Sequence, residues 1–417
     1  MTKSNICIRG WGAVTTLGWS ADETARNLIA SLVHLAAKCK SSHLINRDYK
    51  AFEVPYCETP IPNVKHIGIG ELNNPAQRRV HTRDSGNAMD KSWAMLDSAI
   101  TEAINRAGLT TDEIAESSLL VGTTGGLFIR NEYEFTEIVR NNPDKESPAI
   151  ACRNRGTGEV ADWIAQKYGI KGMAMTFSMA CVSSSHALVV AAQLLEQKKI
   201  RRAIVVGYEP LLNLTLHGFA SLLLYDDEKC RPFCNKRSGM QIGEAASAVI
   251  LDKGTPSPTS KGKYIFAGGY LFNDTNSLTS AGVDGELVKD VIQHSLDMAG
   301  VSAEQIVAVK AHGTGTRDND LSEGRGMVKL FGDKLPPVVS LKGAMGHTLG
   351  AAGTVETAVW LSCLEEGIIP RSFGFEEVDP EIGFTPSQVN LPVGDGAYLF
   401  TFFGFGGTCT SYLIIKE

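Results

Sequence analysis

Long hydrophobic runs are missing from this sequence. No stretch of its 417 residues reaches the roughly 18 uninterrupted apolar residues expected of a membrane-spanning helix. The first residues, MTKSNICIRGWG, also lack the apolar run and the small-residue cleavage site of a signal peptide. These two absences predict a cytoplasmic protein that has no membrane partner.

An excess of basic residues is absent as well. Forty basic residues stand against 46 acidic ones, which gives a net charge of −6. Bulk attraction to nucleic acid is therefore not expected. The nine cysteines are scattered, and Cys230 and Cys234 have no second pair nearby that would complete a zinc site. We expect reduced cysteines, no metal and no cofactor.

What the sequence does contain is an alternation of strand-like and helix-like segments. The run RRAIVVGYE predicts a buried strand, and the run SSHALVVAAQLLEQ before it predicts a helix. Such alternation favours an α/β architecture in which helices cover the sheets. The segment KGTPSPTSKGK, Lys253 to Lys263, is rich in loop-forming residues. We place a domain boundary there, between residues 1–254 and residues 262–417.

The two halves look related. AGLTTDEIAESSLLVGTTGG starts at Ala107, and AGVSAEQIVAVKAHGTGT starts at Ala299. Three residue pairs share one offset of 192 residues, namely Gly108 with Gly300, Asp112 with Glu304, and Ile114 with Ile306. The similarity predicts an internal duplication, although helix–turn–strand units can also resemble one another by chance.

One cysteine stands where a strand-like run meets a helix-like run. The run AMTFSMA leads into Cys181, and a helical pattern begins just after it. Near the start of a helix, the dipole and the free N–H groups favour the thiolate and so lower the pKa of a cysteine. The residues alone leave two interpretations open, a nucleophile and a buried structural cysteine.

Two histidines follow strand-like runs. His312 precedes Gly, Thr, Gly, Thr, and the hydroxyls of Thr314 and Thr316 can bind a ligand. Lys342 and His347 lie between another strand-like run and a glycine-rich helix-like run. A phosphate loop is disfavoured because no GK[ST] follows the glycines. A structural histidine in a turn stays open as an alternative.

A glycine loop near the end, FFGFGG, carries Phe403 and Phe405 and alone predicts either a lid or a hairpin turn. The order of the cysteine, HGTGT, KxxxGH and GFGG resembles the β-ketoacyl-acyl carrier protein synthases of the thiolase superfamily, over nearly the whole chain. The resemblance implies an α/β, thiolase-like duplicated fold with two similar halves in αβαβα layers. It implies a 3-oxoacyl-[acyl-carrier-protein] synthase, which condenses an acyl chain with malonyl-carrier protein in fatty acid, polyketide or aryl-polyene-type biosynthesis.

The resemblance also implies a role for each site residue. Cys181 would take the acyl group, while His312 and His347 would bind the malonyl thioester and stabilise the enolate. The other expected roles are support of this geometry by Lys342, Glu323 and Glu356, binding of the pantetheine arm by Thr314 and Thr316, substrate contact by Phe403, and a gate at Phe405, whose N–H forms an oxyanion hole with that of Cys181.

Partners follow from the same resemblance. We expect an acyl carrier protein with its phosphopantetheine arm, and a second subunit in a homodimer or in a heterodimer with a chain-length-factor-like chain. Thr124 falls at the deep end of the acyl pocket near that subunit, or else merely caps a turn. Arg78, Arg79 and Arg83 would steer an acidic carrier, or else form a solvated helix face.

Three residues depart from the family pattern and bear on the choice of acyl chain: Cys234, Met240 and Cys409. The RDND that follows HGTGT departs as well. Two alternative functions are a non-catalytic chain-length partner, which would lack the nucleophile, and a thiolase. A thiolase would use a second cysteine near the C-terminus as its base, and Cys409 does not stand in such a motif.

Overall fold

The computed structural model describes residues 5–32, 37–42, 47–55, 83–132, 156–274 and 282–417. The strands in these ranges are β1 Ile6–Val14, β2 Ala37–Ser42, β3 Arg47–Phe52, β4 Ser118–Gly122, β5 Ala174–Phe177, β6 Arg202–Glu209, β7 Ala245–Lys253, β8 Tyr264–Asn273, β9 Ile306–Lys310, β10 Val338–Val339, β11 Ile368–Ile369, β12 Leu391–Pro392, β13 Gly396–Gly404 and β14 Thr408–Lys416. The α-helices are α1 Ala21–Ile29, α2 Arg83–Ala107, α3 Thr111–Ala115, α4 Glu159–Tyr168, α5 Ser183–Glu196, α6 Asn213–Ser221, α7 Glu286–Ala299, α8 Arg317–Phe331, α9 Lys342–Met345 and α10 Ala352–Glu365. None of the helices in these ranges is both long and apolar enough to cross a bilayer.

Ten of the strands form one sheet in the order β10-β9-β13-β14-β8-β1-β7-β6-β4-β5. The two central strands, β1 and β8, meet through the residue pair Cys7 and Ile265. On each side of this junction the five strands follow the same order, which is third, second, fourth, fifth and first along the chain. The first unit ends with β7 at Lys253, and the second starts with β8 at Tyr264. The repeated order confirms the predicted duplicated α/β fold.

The segments that looked alike in the sequence are equivalent only in part. Gly108 and Gly300 both follow a helix with a positive φ, +60° and +64°. Each is followed by a capping box, with Thr110 as N-cap in the first half and Ser302 in the second. The equivalence ends there, because Ile114 lies in α3 whereas Ile306 starts β9. The match of Ile114 to Ile306 was therefore wrong, since a full helical turn replaces the short 3-10 turn in the first half.

Both faces of the sheet are buried along most of its strands, as the apolar runs predict, whereas the edge strand β5 is partly exposed. In the first unit, Ile204 and Ile250 pack outward against α2, while Val205 and Val249 pack inward. The inner faces of both units are covered by α5 and α10, and α7 covers the outer face of the second unit. The two five-strand units of the sheet form two separate layers. The order of the layers is therefore helix, sheet, helix, sheet, helix, which confirms the expected αβαβα arrangement.

The two inner helices approach each other through a glycine. A Cβ atom on Gly353 of α10 would lie 2.2 Å from the backbone N of Ser185 in α5. Real side chains essentially never come so close, so only glycine permits this crossing. Because α5 starts two residues after Cys181, the crossing also fixes the depth of that cysteine.

We predict that Gly353→Ala destabilises the fold. Alanine normally favours a helix interior by about 0.5–1 kcal/mol over glycine, but forcing a methyl group against backbone costs about 1–3 kcal/mol or more. Denaturant unfolding should show the loss. Gly218→Ala is the matched control, because the methyl group of an alanine at this position of α6 would have no atom within 4 Å. Equal stability of the two variants would contradict the packing argument.

Candidate active site

The corner between β5 and α5 holds Cys181. The preceding residue, Ala180, has a φ of +50°, a left-handed conformation that costs a non-glycine residue about 1–2 kcal/mol. Ser183 braces the corner, because its Oγ accepts the N–H of Met179 (2.9 Å) and donates to the carbonyl of Ala180 (2.7 Å). The strained turn delivers Cys181 to the positive end of a 14-residue helix.

Burial controls the protonation of this cysteine. It raises the pKa of the Cys181 thiol to about 12, whereas Lys342 and the backbone N–H groups of Cys181 and Phe405 lower the pKa. Glu209 adds to the rise. The pKa of the Cys181 thiol is therefore raised, and not lowered as its place at a helix start predicts, because burial outweighs the lowering by Lys342 and the two N–H groups.

The two histidines lie edge to face. The ring centroids of His312 and His347 are 5.2 Å apart, and the rings are inclined by 83°. Burial lowers the pKa of both well below the usual 6.5, and the positive charge of Lys342 lowers it further, so both rings are neutral at pH 7. Nδ1 of His347 accepts the N–H of Leu349 (3.2 Å), so the proton of that ring lies on Nε2. Nε2 of His347 and Nδ1 of His312 are buried without a partner.

Two buried lysines share one carboxylate behind the histidines. Nζ of Lys342 donates to Oε1 of Glu356 and to the carbonyl of His312, both at 2.6 Å. Nζ of Lys310 donates to Oε2 of Glu356 at 2.5 Å. All three side chains are almost fully shielded from solvent. This arrangement ties α10, α9 and the end of β9 together.

Two carboxylates of α8 hold the loop that follows His312. Glu323 accepts the N–H groups of His312 (2.7 Å) and Gly313 (2.8 Å). Asp320 accepts the N–H of Thr314 at 2.9 Å. Burial raises the pKa of Glu323 and of Asp320, and these donated hydrogen bonds oppose the rise. Helix α8 therefore fixes the backbone of this loop, and Thr314 and Thr316 of the loop line the cavity.

A cavity of about 590 Å³ joins these groups. Its lining includes the thiol, both imidazoles, the two loop hydroxyls and the two phenylalanines of the glycine loop: Cys181, His312, His347, Thr314, Thr316, Phe403 and Phe405. The ring of Phe405 lies 5.7 Å from that of Phe219, between centroids. Exposed residues of the wall are Leu222, Leu223 and Arg317, whereas Arg237 lines the cavity from a buried position.

The structure brings together most of the residues selected from the sequence. Lys342, Glu323 and Glu356 lie behind the cavity wall and contact the histidine backbone or one another. Thr124 is different, because it does not line this cavity and its hydroxyl donates to Glu209 Oε1 at 2.6 Å. Within this chain, its place agrees with the turn-capping alternative, and its role at the pocket floor stays a prediction.

The three departures from the family pattern lie in different places. Met240 lines the cavity beside Cys181, whereas Cys234 and Cys409 are buried outside it. Arg78 and Arg79 of the predicted basic cluster lie outside the described residues. Arg83 starts α2, but its side chain is not among those described.

Sequence reasoning missed Lys310 and Asp320. Both were visible: Lys310 interrupts the apolar strand IVAVKA, and a lysine is almost never fully buried unless it is paired. Asp320 ends the RDND segment, three residues before Glu323 and thus on the same helical face. Across the described ranges, no group of three or more His, Cys, Asp or Glu residues is arranged to hold a metal ion.

A cysteine and two neutral imidazoles, backed by buried lysines in a thiolase-like fold, define a thioester-processing site. Comparisons with known proteins agree. Residues 3–256 match the family described as Beta-ketoacyl synthase, N-terminal domain, and residues 265–376 match Beta-ketoacyl synthase, C-terminal domain. The chain belongs to the β-ketoacyl synthase family, which confirms the predicted enzyme class.

Individual relatives are distant. The chain is 28% identical to 3-oxoacyl-[acyl-carrier-protein] synthase 2 of Synechocystis, over 98% of this chain and 97% of that protein. It is 30% identical to a putative mitochondrial 3-oxoacyl-[acyl-carrier-protein] synthase of Schizosaccharomyces pombe, over 61% of this chain and 64% of that protein. A ketosynthase of Xenorhabdus doucetiae, solved with its chain length factor, shares the fold with a TM-score of 0.78 at 22% identity, over 99% of this chain and 98% of that one.

We predict that Cys181 is alkylated before the other described cysteines. It lines the cavity, whereas Cys7, Cys230, Cys363 and Cys409 are buried outside it. Because burial raises the pKa of its thiol, the rate should climb roughly tenfold per pH unit from pH 7 to 9. Peptide mapping after brief iodoacetamide treatment measures both.

The matched control is Cys181→Ser, which should lose the earliest labelled peptide and leave the slower ones unchanged. Earlier labelling of Cys409, or a rate that levels off below pH 8, would contradict this picture of the site.

Proposed function

We propose that this chain is a 3-oxoacyl-[acyl-carrier-protein] synthase that performs decarboxylative Claisen condensation. The observation that carries the proposal is the pair of neutral imidazoles, His312 and His347, which face the same cavity as Cys181. An enolate needs hydrogen-bond donors in a site that excludes water. Neutral rings supply such donors without adding charge to the ground state.

In the first half-reaction, the sulfur of Cys181 attacks the carbonyl carbon of an acyl thioester. A new C–S bond forms, the bond to the carrier sulfur breaks, and the thiol proton ends on the released carrier. The N–H groups of Cys181 and Phe405, which already act on this sulfur, would donate to the oxyanion of the intermediate.

In the second half-reaction, His312 and His347 donate to the thioester carbonyl of the malonyl group. The carbon–carboxylate bond breaks, carbon dioxide leaves, and the electron pair of the broken bond forms the enolate. The enolate carbon then attacks the acyl group on Cys181, whose sulfur leaves and takes up one proton from solvent, so that the reaction overall consumes one proton. Lys342 keeps His312 in place by donating to the backbone carbonyl of His312, and Glu323 does so by accepting the backbone N–H of His312.

The substrate arrives on a carrier in this proposal. The relatives from Synechocystis and Schizosaccharomyces pombe are both named as synthases that act on an acyl chain held by an acyl carrier protein. The hydroxyls of Thr314 and Thr316, 2.8 Å apart on the cavity wall, are suited to the amides of a pantetheine arm.

Both alternative functions are disfavoured. A non-catalytic chain-length partner would lack the nucleophile, whereas Cys181 lines the cavity here. A thiolase needs a second cysteine beside the first as a base. Cys409 is buried in β14 and does not line the cavity, and burial raises the pKa of its thiol to about 12.

A second subunit is supported by the edge of the sheet. Strand β5 is the last strand on its side, and Met173 and Met175 are 39% and 38% exposed. An exposed apolar edge strand is a template for pairing with another chain. The subunit would be a second copy of this chain or, as in the Xenorhabdus complex, a chain length factor. A cytoplasmic location is supported by the six cysteines whose side chains are described, all of which are unpaired.

We predict that His312→Ala and His347→Ala each lower the rate of malonyl decarboxylation by roughly 100- to 1,000-fold, because each removes an oxyanion donor. Carbon dioxide release from malonyl-carrier protein measures the effect. His294→Ala is the matched control, since this exposed histidine of α7 stacks on Tyr270 far from the cavity. Near-normal release by both cavity variants would refute the proposed mechanism.

We predict that Met175→Lys weakens assembly, because a charge on an apolar edge opposes pairing. Light scattering after size exclusion should show a shift from dimer towards the mass of one chain, 44.8 kDa. Met298→Lys, on the outer helix α7 with 49% exposure, should leave the mass unchanged. An unaltered mass for Met175→Lys would exclude β5 as the interface.

A further inference from the structure

Lys310 is the most unusual charge in the described chain that the proposed mechanism does not use. It is the last residue of β9, two positions before His312, and it is fully buried. An isolated ammonium at such a place would be very costly. Burial lowers the pKa of Lys310, and the contact with Glu356 opposes that decrease.

Its contacts lead to the site from a side that Lys342 does not reach. Nζ of Lys310 binds Oε2 of Glu356 (2.5 Å) and the carbonyl of Thr401 (3.2 Å). It also lies 3.4 Å from the ring centroid of Phe402. The same Phe402 ring stands edge to face against His312, with 6.3 Å between centroids. Lys310 is therefore one ring away from the imidazole.

The consequence for Glu356 is geometric. Each of its oxygens is held by one ammonium, so the carboxylate cannot rotate to give both oxygens to Lys342. With Oε2 held, Lys342 has only Oε1 and is directed to the carbonyl of His312. Removal of Lys310 would free the carboxylate and loosen this line of contacts.

We infer that Lys310 is a positioning residue for the decarboxylation step: it holds Glu356 so that Lys342 orients His312, and it keeps a second positive charge behind the two histidines. The inference rests on the proposed function. The buried set of Lys310, Lys342 and Glu356 carries one net positive charge, which favours a developing enolate in a dry site.

The charge also has a sign-specific effect on pH dependence. Six titratable groups surround His312. They are Lys310 at the end of β9, Glu323 of α8, Lys342 of α9, His347 after α9, Glu356 of α10 and Cys181 ahead of α5. The histidines work in their neutral form, and a nearby positive charge lowers their pKa. Loss of Lys310 raises that pKa, so activity is lost at a higher pH as the solution is acidified.

The test compares Lys310→Met, the double variant Lys310→Met with Glu356→Gln, and Lys253→Met. Methionine keeps the length and removes the charge. The double variant restores one net positive charge to the set, and Lys253, an exposed lysine at the end of β7, is the matched control. Carbon dioxide release from malonyl-carrier protein is followed from pH 5 to 8, with kcat and KM determined separately.

We expect Lys310→Met to lower kcat at pH 7 by roughly 10- to 100-fold with little change in KM, as for a slightly misplaced reacting group. Its acidic limb should move up by roughly one pH unit, and that of the double variant should return towards the unchanged protein. Superimposable profiles for the unchanged protein and Lys310→Met, or equal shifts in both variants, would overturn the inference. Absence of carbon dioxide release from the unchanged protein would instead overturn the proposed function itself.

Discussion

The close crossing of α5 and α10 in the middle layer is the constraint on which the site depends. Gly353 meets the backbone of Ser185 there, and each helix packs between the two five-strand units. One helix starts beside Cys181, and the other carries Glu356. The distance between nucleophile and charged set is therefore determined by backbone contact, which does not adjust as a flexible side chain would.

The helix α10 of that crossing also carries the carboxylate that neutralises part of the buried positive charge. Burial of three ionised side chains costs free energy that their attraction recovers only when the geometry is good. Here Lys310 and Lys342 each bind one oxygen of Glu356, and each donates one further hydrogen bond, to the backbone carbonyls of Thr401 and His312 respectively. The carbonyl of His312 is thus a partner of this ionic set, which fixes the backbone of the proposed catalytic residue just beyond the end of a short strand.

Much of this could be predicted because it is written in local pattern. The alternation of apolar runs predicts the layered sheets, and the glycine–threonine loop after His312 predicts a ligand-facing turn. The pairing of Ile114 with Ile306 was wrong because α3 in the first half replaces the short 3-10 turn of the second half. The N-caps Thr110 and Ser302 stay alike, but β4 begins later than β9 relative to its cap. Lys310 stands out locally as a lysine in an apolar strand, but its partners could not be predicted, because Glu356 and Thr401 are 46 and 91 residues away along the chain. The pKa of Cys181 was misjudged because a helix start is visible in sequence, whereas exclusion of water is not.

Exclusion of water has opposite consequences for the two kinds of catalytic group, and the proposed chemistry requires both. It raises the pKa of the Cys181 thiol and lowers the pKa of His312 and His347, so a neutral thiol lies beside two neutral rings. In each proposed step one negative charge comes to lie on an oxyanion, an enolate or a departing sulfur. The groups that meet it are fixed N–H donors backed by Lys342, whose interaction with charge is strongest where water is absent. A standing thiolate would weaken this arrangement, because it would draw the same donors before the substrate arrives.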